Sequence, residues 1–288
     1  MEPIPSHQLE AFMVVAETKH FTRAASRLHL TQSALSQRIL KLEELLETAL
    51  LIRDPREVRI TAAGERLLRY ARTKQALETE AVGELLAPRQ NAVGLRGNLR
   101  IGGFSTVMRS LVLPRLAPLL QANSEVKLEL RIAELRELQS LLRSGEVDLV
   151  LSNELLELEG VESVKIFEEE NVMIESKQLA PERTATVFDH DPDDQTTDRY
   201  LKIQSKRFRQ THGIEQINKS YLDEIYVILD AVELGLGRAV VPRHLLQGRS
   251  NLRELSGGVC AQVPVFLQRL EAAYRPKLQA QAYDLIRG

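Results

Sequence analysis

The 288-residue chain has one cysteine, no tryptophan and 5% aromatic residues. Cys260 cannot close an intramolecular disulfide, and no Cys/His cluster has zinc-site spacing, so the composition favours a reducing cytoplasm over secretion. As a residue, Cys260 reads more simply as a small apolar side chain than as a redox centre. The opening MEPIPSHQ lacks a basic segment followed by an apolar one. No run approaches the ~18 apolar residues of a membrane-spanning helix, so export and membrane insertion are disfavoured. Motifs for catalysis are absent too: there is no G-x-S-x-G, no P-loop, no H-E-x-x-H and no G-x-G-x-x-G. Gly235 and Gly237 are followed by Arg238 and Ala239 without a third glycine. An enzyme is therefore not expected, and no cofactor is implied. A calcium loop starting at Asp189 fails because Asp194 stands where glycine is required and Tyr200 where glutamate is. His190 alone makes no metal site. The remaining composition, 43% hydrophobic and 27% charged with a net charge of -2, suits a globular chain long enough for two cores.

The informative stretch is residues 21–44, FTRAASRLHLTQSALSQRILKLEE. Two short helices are predicted, each starting at a threonine able to cap free backbone N–H groups, Thr22 and Thr31. Ala24 and Ala25 permit close approach of the two axes, and Leu30 and Leu35 are placed as a hydrophobic staple. Leu28, Leu35, Ile39 and Leu42 form the shared core. Gln32, Ser33, Ser36 and Gln37 are left facing outward on the second helix, with Lys41. Gln pairs bidentately with adenine and Ser acts as donor or acceptor, so this face suits a DNA major groove. A plain helical hairpin with a polar exterior fits the same pattern.

LLIRDPREVRIT then reads as two short strands around a turn, a wing whose Arg53 and Arg56, with Thr22, Thr31, Arg38 and Lys41, are candidates for phosphate contacts. A charged surface hairpin is the simpler reading of the same residues. From Thr18 to Ile60, eight Lys and Arg face five Asp and Glu, a mildly basic segment in a slightly acidic chain.

LHLTQSALSQRILKLEELL, LLIR and ITAAGERLL together resemble the amino-terminal domain of LysR-type transcriptional regulators. The resemblance covers nearly the whole chain, sharply over residues 7–70 and more loosely beyond. It implies an α+β chain: an N-terminal winged helix-turn-helix with a long linker helix, and a C-terminal two-lobed α/β effector-binding domain similar to periplasmic binding proteins. The expected divisions are the DNA-binding domain at 1–61, the linker and dimerisation helix at 62–87, a hinge at 88–97 and the effector domain at 98–288. Lobe I takes about 98–167 and 264–288, and lobe II about 168–263.

The residues support that layout independently. After Thr61, a helical run carries Leu67, Ala71, Ala81 and Leu85 at roughly heptad intervals. Its apolar stripe needs a cover, either a second copy of the chain or the second domain. The resemblance favours pairing of two subunits, giving a homodimer or homotetramer and a pseudo-palindromic DNA site. PRQNAVGLRG is rich in breakers and marks a boundary. Beyond it, LRIGGF, VKLELRIA and VDLVLS alternate with helical segments, the grammar of a mostly parallel sheet.

Ligands of such sheets bind beyond the carboxyl ends of strands. Ser105 and Thr106 follow the strand LRIGG and open a helix, so they fit a carboxylate or a plain helix cap equally. The resemblance implies effector contacts at this turn, near Ser152 and Asn153, and near Gln204. VFDHDPDDQTTDRYL further resembles the ArgP subgroup of that family, which responds to lysine and arginine. Asp189, Asp193 and Asp194 offer charge to a basic amino acid, and an acidic solvated turn explains them as well. Three functions remain open: an effector-responsive transcriptional regulator, an effector-independent DNA-organising protein, and an α/β solute-binding protein or enzyme. The first implies double-stranded DNA, a small-molecule effector, further copies of the chain and RNA polymerase as partners, with no membrane.

Overall fold

The computed structural model describes residues 3–53, 58–90, 94–255, 257–272 and 275–288, and side chains except those of 53 and 86–90. Two compact units emerge, one of residues 1–164 with 267–288 and the other of residues 165–266.

The first unit opens with three helices, α1 (Ser6–Thr18), α2 (Phe21–Arg27) and α3 (Gln32–Leu45). α1 presents Leu9, Phe12 and Val15 at helical spacing, and these meet Leu35, Ile39 and Leu42 of α3 in one core. Phe12, Leu35, Ile39 and Leu42 are fully buried, with 0% exposure. Strands β1 (Leu51–Arg53) and β2 (Val58–Ile60) pair antiparallel, Leu51 opposite Ile60 and Arg53 opposite Val58. α4 (Ala62–Gln90) follows, capped by Thr61, whose hydroxyl accepts the Gly64 N–H at 3.0 Å. Leu67, Leu68 and Ala71 of α4 close the core from below.

α4 has 29 residues, roughly 44 Å at 1.5 Å per residue. It continues three residues past the expected end, through Pro88. A proline in the last turn removes one helical N–H, a smaller penalty than in mid-helix because few turns remain to be disrupted.

The rest of the first unit is α/β. Strand β3 (Gly97–Gly103) leads through α5 (Ser105–Val107) and a π-helical turn (Met108–Val112) into α6 (Leu113–Ala122). Pro114 and Pro118 supply no N–H to this stretch, and the Leu113 N–H reaches back to Met108 O. Strand β4 (Val126–Ile132), helix α7 (Leu135–Ser144) and strand β5 (Leu149–Ser152) follow, with β4 and β5 flanking β3 in parallel. Strand β6 (Val161–Ser176) carries the chain into the second unit.

There it meets β7 (Thr186–Asp189), helices α8 (Thr196–Ile203) and α9 (Lys206–Thr211), β8 (Asn218–Tyr221), α10 (Ile225–Glu233), β9 (Arg238–Pro242) and β10 (Leu252–Glu254). β9 is antiparallel to β6 and parallel to β7, which is parallel to β8, while β10 pairs antiparallel with β6. Strand β11 (Ala261–Leu270) returns to the first unit, which ends in α11 (Lys277–Arg287). No helix among the described residues is long and apolar enough to cross a membrane.

The junction of wing and α4 has no spare volume. A Cβ on Gly64 would lie 2.3 Å from Leu50 O and 2.6 Å from Ile60 Cγ2. Gly64→Ala is expected to lower stability in urea unfolding by about 1–3 kcal/mol, the usual penalty for overpacking a filled site.

Candidate nucleic-acid interface and effector segments

Burial sorts the side chains of α3. With Leu35, Ile39 and Leu42 inward, Gln32, Ser33, Gln37 and Lys41 are exposed, and Ser36 and Arg38 are half-buried. Thr31 caps the helix by accepting the Ala34 N–H at 3.2 Å, and its hydroxyl also contacts Ser33 Oγ at 3.0 Å. Thr22 does not cap α2. That helix begins one residue earlier, at Phe21, and its N-cap position is held by His20 without a side-chain hydrogen bond. The Thr22 hydroxyl instead donates to Gln32 Oε1 at 3.2 Å, so an α2 residue positions the first side chain of the polar face. Leu30 and Leu28 pack on the shared core.

Two features of this interface carry little sequence signal. The turn between α2 and α3 places His29 at φ 55, a left-handed conformation usually given to glycine or asparagine. Glu43 turns its carboxylate to the wing, where Oε1 accepts the N–H groups of Leu50 at 2.8 Å and Leu51 at 3.2 Å. Glu43, one of the five acidic residues of this segment, thus ties the exposed helix to the start of the wing. Arg53 lies at the end of β1 opposite Val58. Its side chain, and Arg56 entirely, lie outside the described residues.

The effector candidates divide between the two units. In the first, Gly103 of β3 pairs with Leu151 of β5, so Ser105 and Thr106 follow one strand, while Ser152 ends the neighbouring one and Asn153 follows it. Ser105, Thr106 and Asn153 are half-buried. Ser152 is fully buried and engaged on both sides, accepting Gln268 Nε2 at 2.6 Å and donating to Glu154 O at 2.8 Å. Gln268 also accepts the Leu156 N–H at 2.9 Å and the Ser163 hydroxyl at 3.0 Å.

In the second unit, Asp189 is buried, accepts the Thr197 hydroxyl and pairs with Lys219 Nζ at 2.9 Å. Burial raises its carboxyl above the usual range against the pull of Thr197 and Lys219. Burial also acts on Asp194, but hydrogen bonds from Thr196 and the His190 backbone outweigh it and hold the carboxyl below its usual value. Asp191 Oδ1 accepts the N–H groups of Asp193 at 2.7 Å and Asp194 at 2.9 Å, closing the turn. The Asp193 carboxylate is exposed. Gln204 is buried and held to the Val259 backbone at both ends of its amide, at 2.6 and 3.1 Å. Asp189, Asp194, Gln204 and Ser152 therefore all have internal partners. The described residues contain no group of three or more potential metal ligands.

Glu169 on β6 is also buried in the second unit. Among the described residues its Oε1 has no hydrogen-bond partner, and His244 Nδ1 lies 4.0 Å away. Burial raises the Glu169 carboxyl to about 7 and lowers the His244 imidazole.

A protein-family model for bacterial regulatory helix-turn-helix proteins of the lysR family matches residues 6–65, and one for the LysR substrate binding domain matches residues 92–287. HTH-type transcriptional regulators HdfR from Yersinia enterocolitica and Yersinia pestis are 36% identical to this chain over 146 residues, 51% of the chain and 48% of theirs. The match to this chain thus spans about half the length of these curated relatives. Among solved structures, ArgP from Mycobacterium tuberculosis is similar at 23% identity and a TM-score of 0.75, over 97% of this chain and 95% of that one. LysG from Corynebacterium glutamicum with bound effector Arg is similar at 20% identity and a TM-score of 0.69, over 98% of each chain. At these identities the likeness to solved structures is one of fold.

Two stability measurements check this geometry. Thr31→Ala is expected to cost about 1 kcal/mol by removing the α3 cap. Glu169 has a folded-state pKa above its unfolded value of 4.5, so its contribution is full below that value and is lost as pH rises through about 7. Glu169→Gln is therefore expected to gain at most about 3 kcal/mol over the parent at pH 8, with no difference at pH 4. Parallel pH titrations of parent and variant would refute the buried-carboxyl assignment.

Proposed function

The chain belongs to the LysR family, and on that premise we propose that it is a sequence-specific DNA-binding transcriptional regulator whose DNA binding or bending responds to a small-molecule effector. The observation that carries this reading is the α3 face of Gln32, Ser33, Ser36 and Gln37, held outward by a fully buried inner face and flanked by the wing. In this assignment those four side chains read base edges in the major groove. Thr22, Thr31, Arg38, Lys41, Arg53 and Arg56 hold phosphates and set register. Two copies of the chain paired through α4 bind a pseudo-palindromic duplex. The protein acts in the cytoplasm without catalysis of its own, with RNA polymerase as a further partner.

The effector acts by linkage: it shifts DNA occupancy only by its different affinity for two protein arrangements, typically about 1–3 kcal/mol. A basic amino acid is the effector this reading favours, supported by the fold shared with LysG, whose solved structure holds Arg, and by the acidic turn of the second unit. Ser105, Thr106, Ser152, Asn153, Asp189, Asp193, Asp194 and Gln204 are assigned to its site. The exposed Asp193 carboxylate is the member best placed to meet a cationic group directly. The others act as support or exchange their internal partners on binding.

Selection of bound duplexes from a random pool tests the DNA assignment. Gln32→Ala and Ser36→Ala are expected to relax preference at individual base pairs at a cost of about 1–3 kcal/mol, whereas Lys41→Ala weakens all duplexes alike and lowers the salt slope by about one. A change of preferred sequence in Lys41→Ala, with none in the α3 variants, would reverse these roles. For the effector, thermal unfolding of the full chain is expected to shift upward with lysine or arginine and not in Asp193→Ala. No shift with either amino acid removes the basic-amino-acid effector and leaves the DNA assignment standing.

A further inference from the structure

The first unit contains a cavity of about 950 Å³ bounded by α4, the starts of β3 and β4, and the start of α11. Its charges are unevenly matched. Among its carboxylates, Asp148 accepts the Arg100 backbone N–H at 2.9 Å and Gln279 Nε2 at 2.7 Å, while Glu80 and Glu84 both pair with Lys277. The cations near Asp148 are less closely matched among the described residues. Arg72 donates to a neutral acceptor, Ser144 O, at 3.2 Å, and Arg69 to Arg143 O. Neither guanidinium has a carboxylate within ion-pair distance among the described residues. Arg100 reaches Glu129 only at 4.0 Å. Lys127, on the neighbouring strand, lines the same cavity.

Arg72 is the informative member. Burial is the leading cause that lowers its pKa below the usual arginine value and the nearby Arg100 lowers it further, while Glu146, Glu17 and Asp148 pull the other way without making up the difference. A guanidinium withdrawn from water and facing a second one costs free energy unless an anion joins them. Burial acts likewise on Arg69, a turn earlier on α4. Two guanidinium forks on one helix with an ammonium and a third guanidinium on the facing strands match oxyanions that accept several hydrogen bonds.

We infer that this cavity binds a small organic dianion, a dicarboxylate or a phosphate ester, between Arg69 and Arg72 of α4 and Arg100 and Lys127 of β3 and β4. This ligand differs in charge and in place from the basic amino acid assigned above. Because α4 starts directly after the wing, occupancy ties the helix that follows the DNA-binding segment to the sheet of the same unit. The inference does not depend on the DNA assignment.

Thermal unfolding of the full chain, at ionic strength held constant with sodium chloride, tests it with inorganic phosphate and succinate as probes. At a hundredfold excess over Kd, a rise of about 5 °C or more is expected. Arg72→Met is expected to abolish the rise, measured against its own ligand-free midpoint because the bond to Ser144 O is lost with the charge. Lys127→Gln is expected to reduce the rise, and it carries the test if Arg72→Met does not fold. A response to phosphate alone identifies phosphate esters, and to succinate alone dicarboxylates. No rise beyond the chloride control with either probe, or an undiminished rise in the variants, overturns the inference.

Discussion

Everything at the amino-terminal end depends on the complete burial of one face of α3. Leu35, Ile39 and Leu42 have no solvent exposure because they lie in one core with Phe12 and Val15 of α1, which Leu68 and Ala71 of α4 complete. Burying a side chain of this size contributes about 1.5–3 kcal/mol. Rotating α3 to bury a different face would put Gln32, Gln37 or Lys41 into an apolar core without partners, a penalty that exceeds any gain. The polar face is therefore fixed in orientation. The contacts of Thr22 with Gln32 and of Glu43 with the first N–H groups of β1 then set its detail.

The same constraint extends along α4. Its first turns belong to the core through Leu67, Leu68 and Ala71, and in the same turns Glu65 pairs with Arg143 at 2.9 Å while Arg69 and Arg72 bond the last carbonyls of α7. One helix thus supports the α3 face and contacts the α/β sheet within a single compact unit. Allosteric coupling needs an element whose position two binding events both bias. α4 has the contacts for that role in the regulator proposed here.

Much of this was legible in the sequence because it rests on local patterns. The α3 periodicity, the cap at Thr31, the paired strands of the wing and the alternation of strands and helices all involve residues within a few positions of one another. α1 offered the same kind of signal, Leu9, Phe12 and Val15 at helical spacing, which the stronger motif beside it overshadowed. What stayed hidden depends on distant partners. The engagement of Ser152 by Gln268 spans 116 residues, and that of Gln204 by Val259 spans 55. No pattern in either segment announces them. Glu43 reaches the wing across a turn of no marked pattern, and His29 takes the left-handed position that ends α2, its N–H on Ser26 O and the Leu30 N–H on Ala25 O, where a glycine would have announced the cap. Pro88 shows the converse: a strong local breaker gives way to a helix nearing its end.

The central claim, that α3 and the wing read DNA as a paired unit, is tested most directly by hydroxyl-radical footprinting of the full chain on its preferred duplex. Two protected patches on one face of the duplex, centred about 10 base pairs apart, are predicted, since paired recognition helices enter successive major grooves. Uniform protection without a two-fold pattern, or no protection at low salt, would contradict the account.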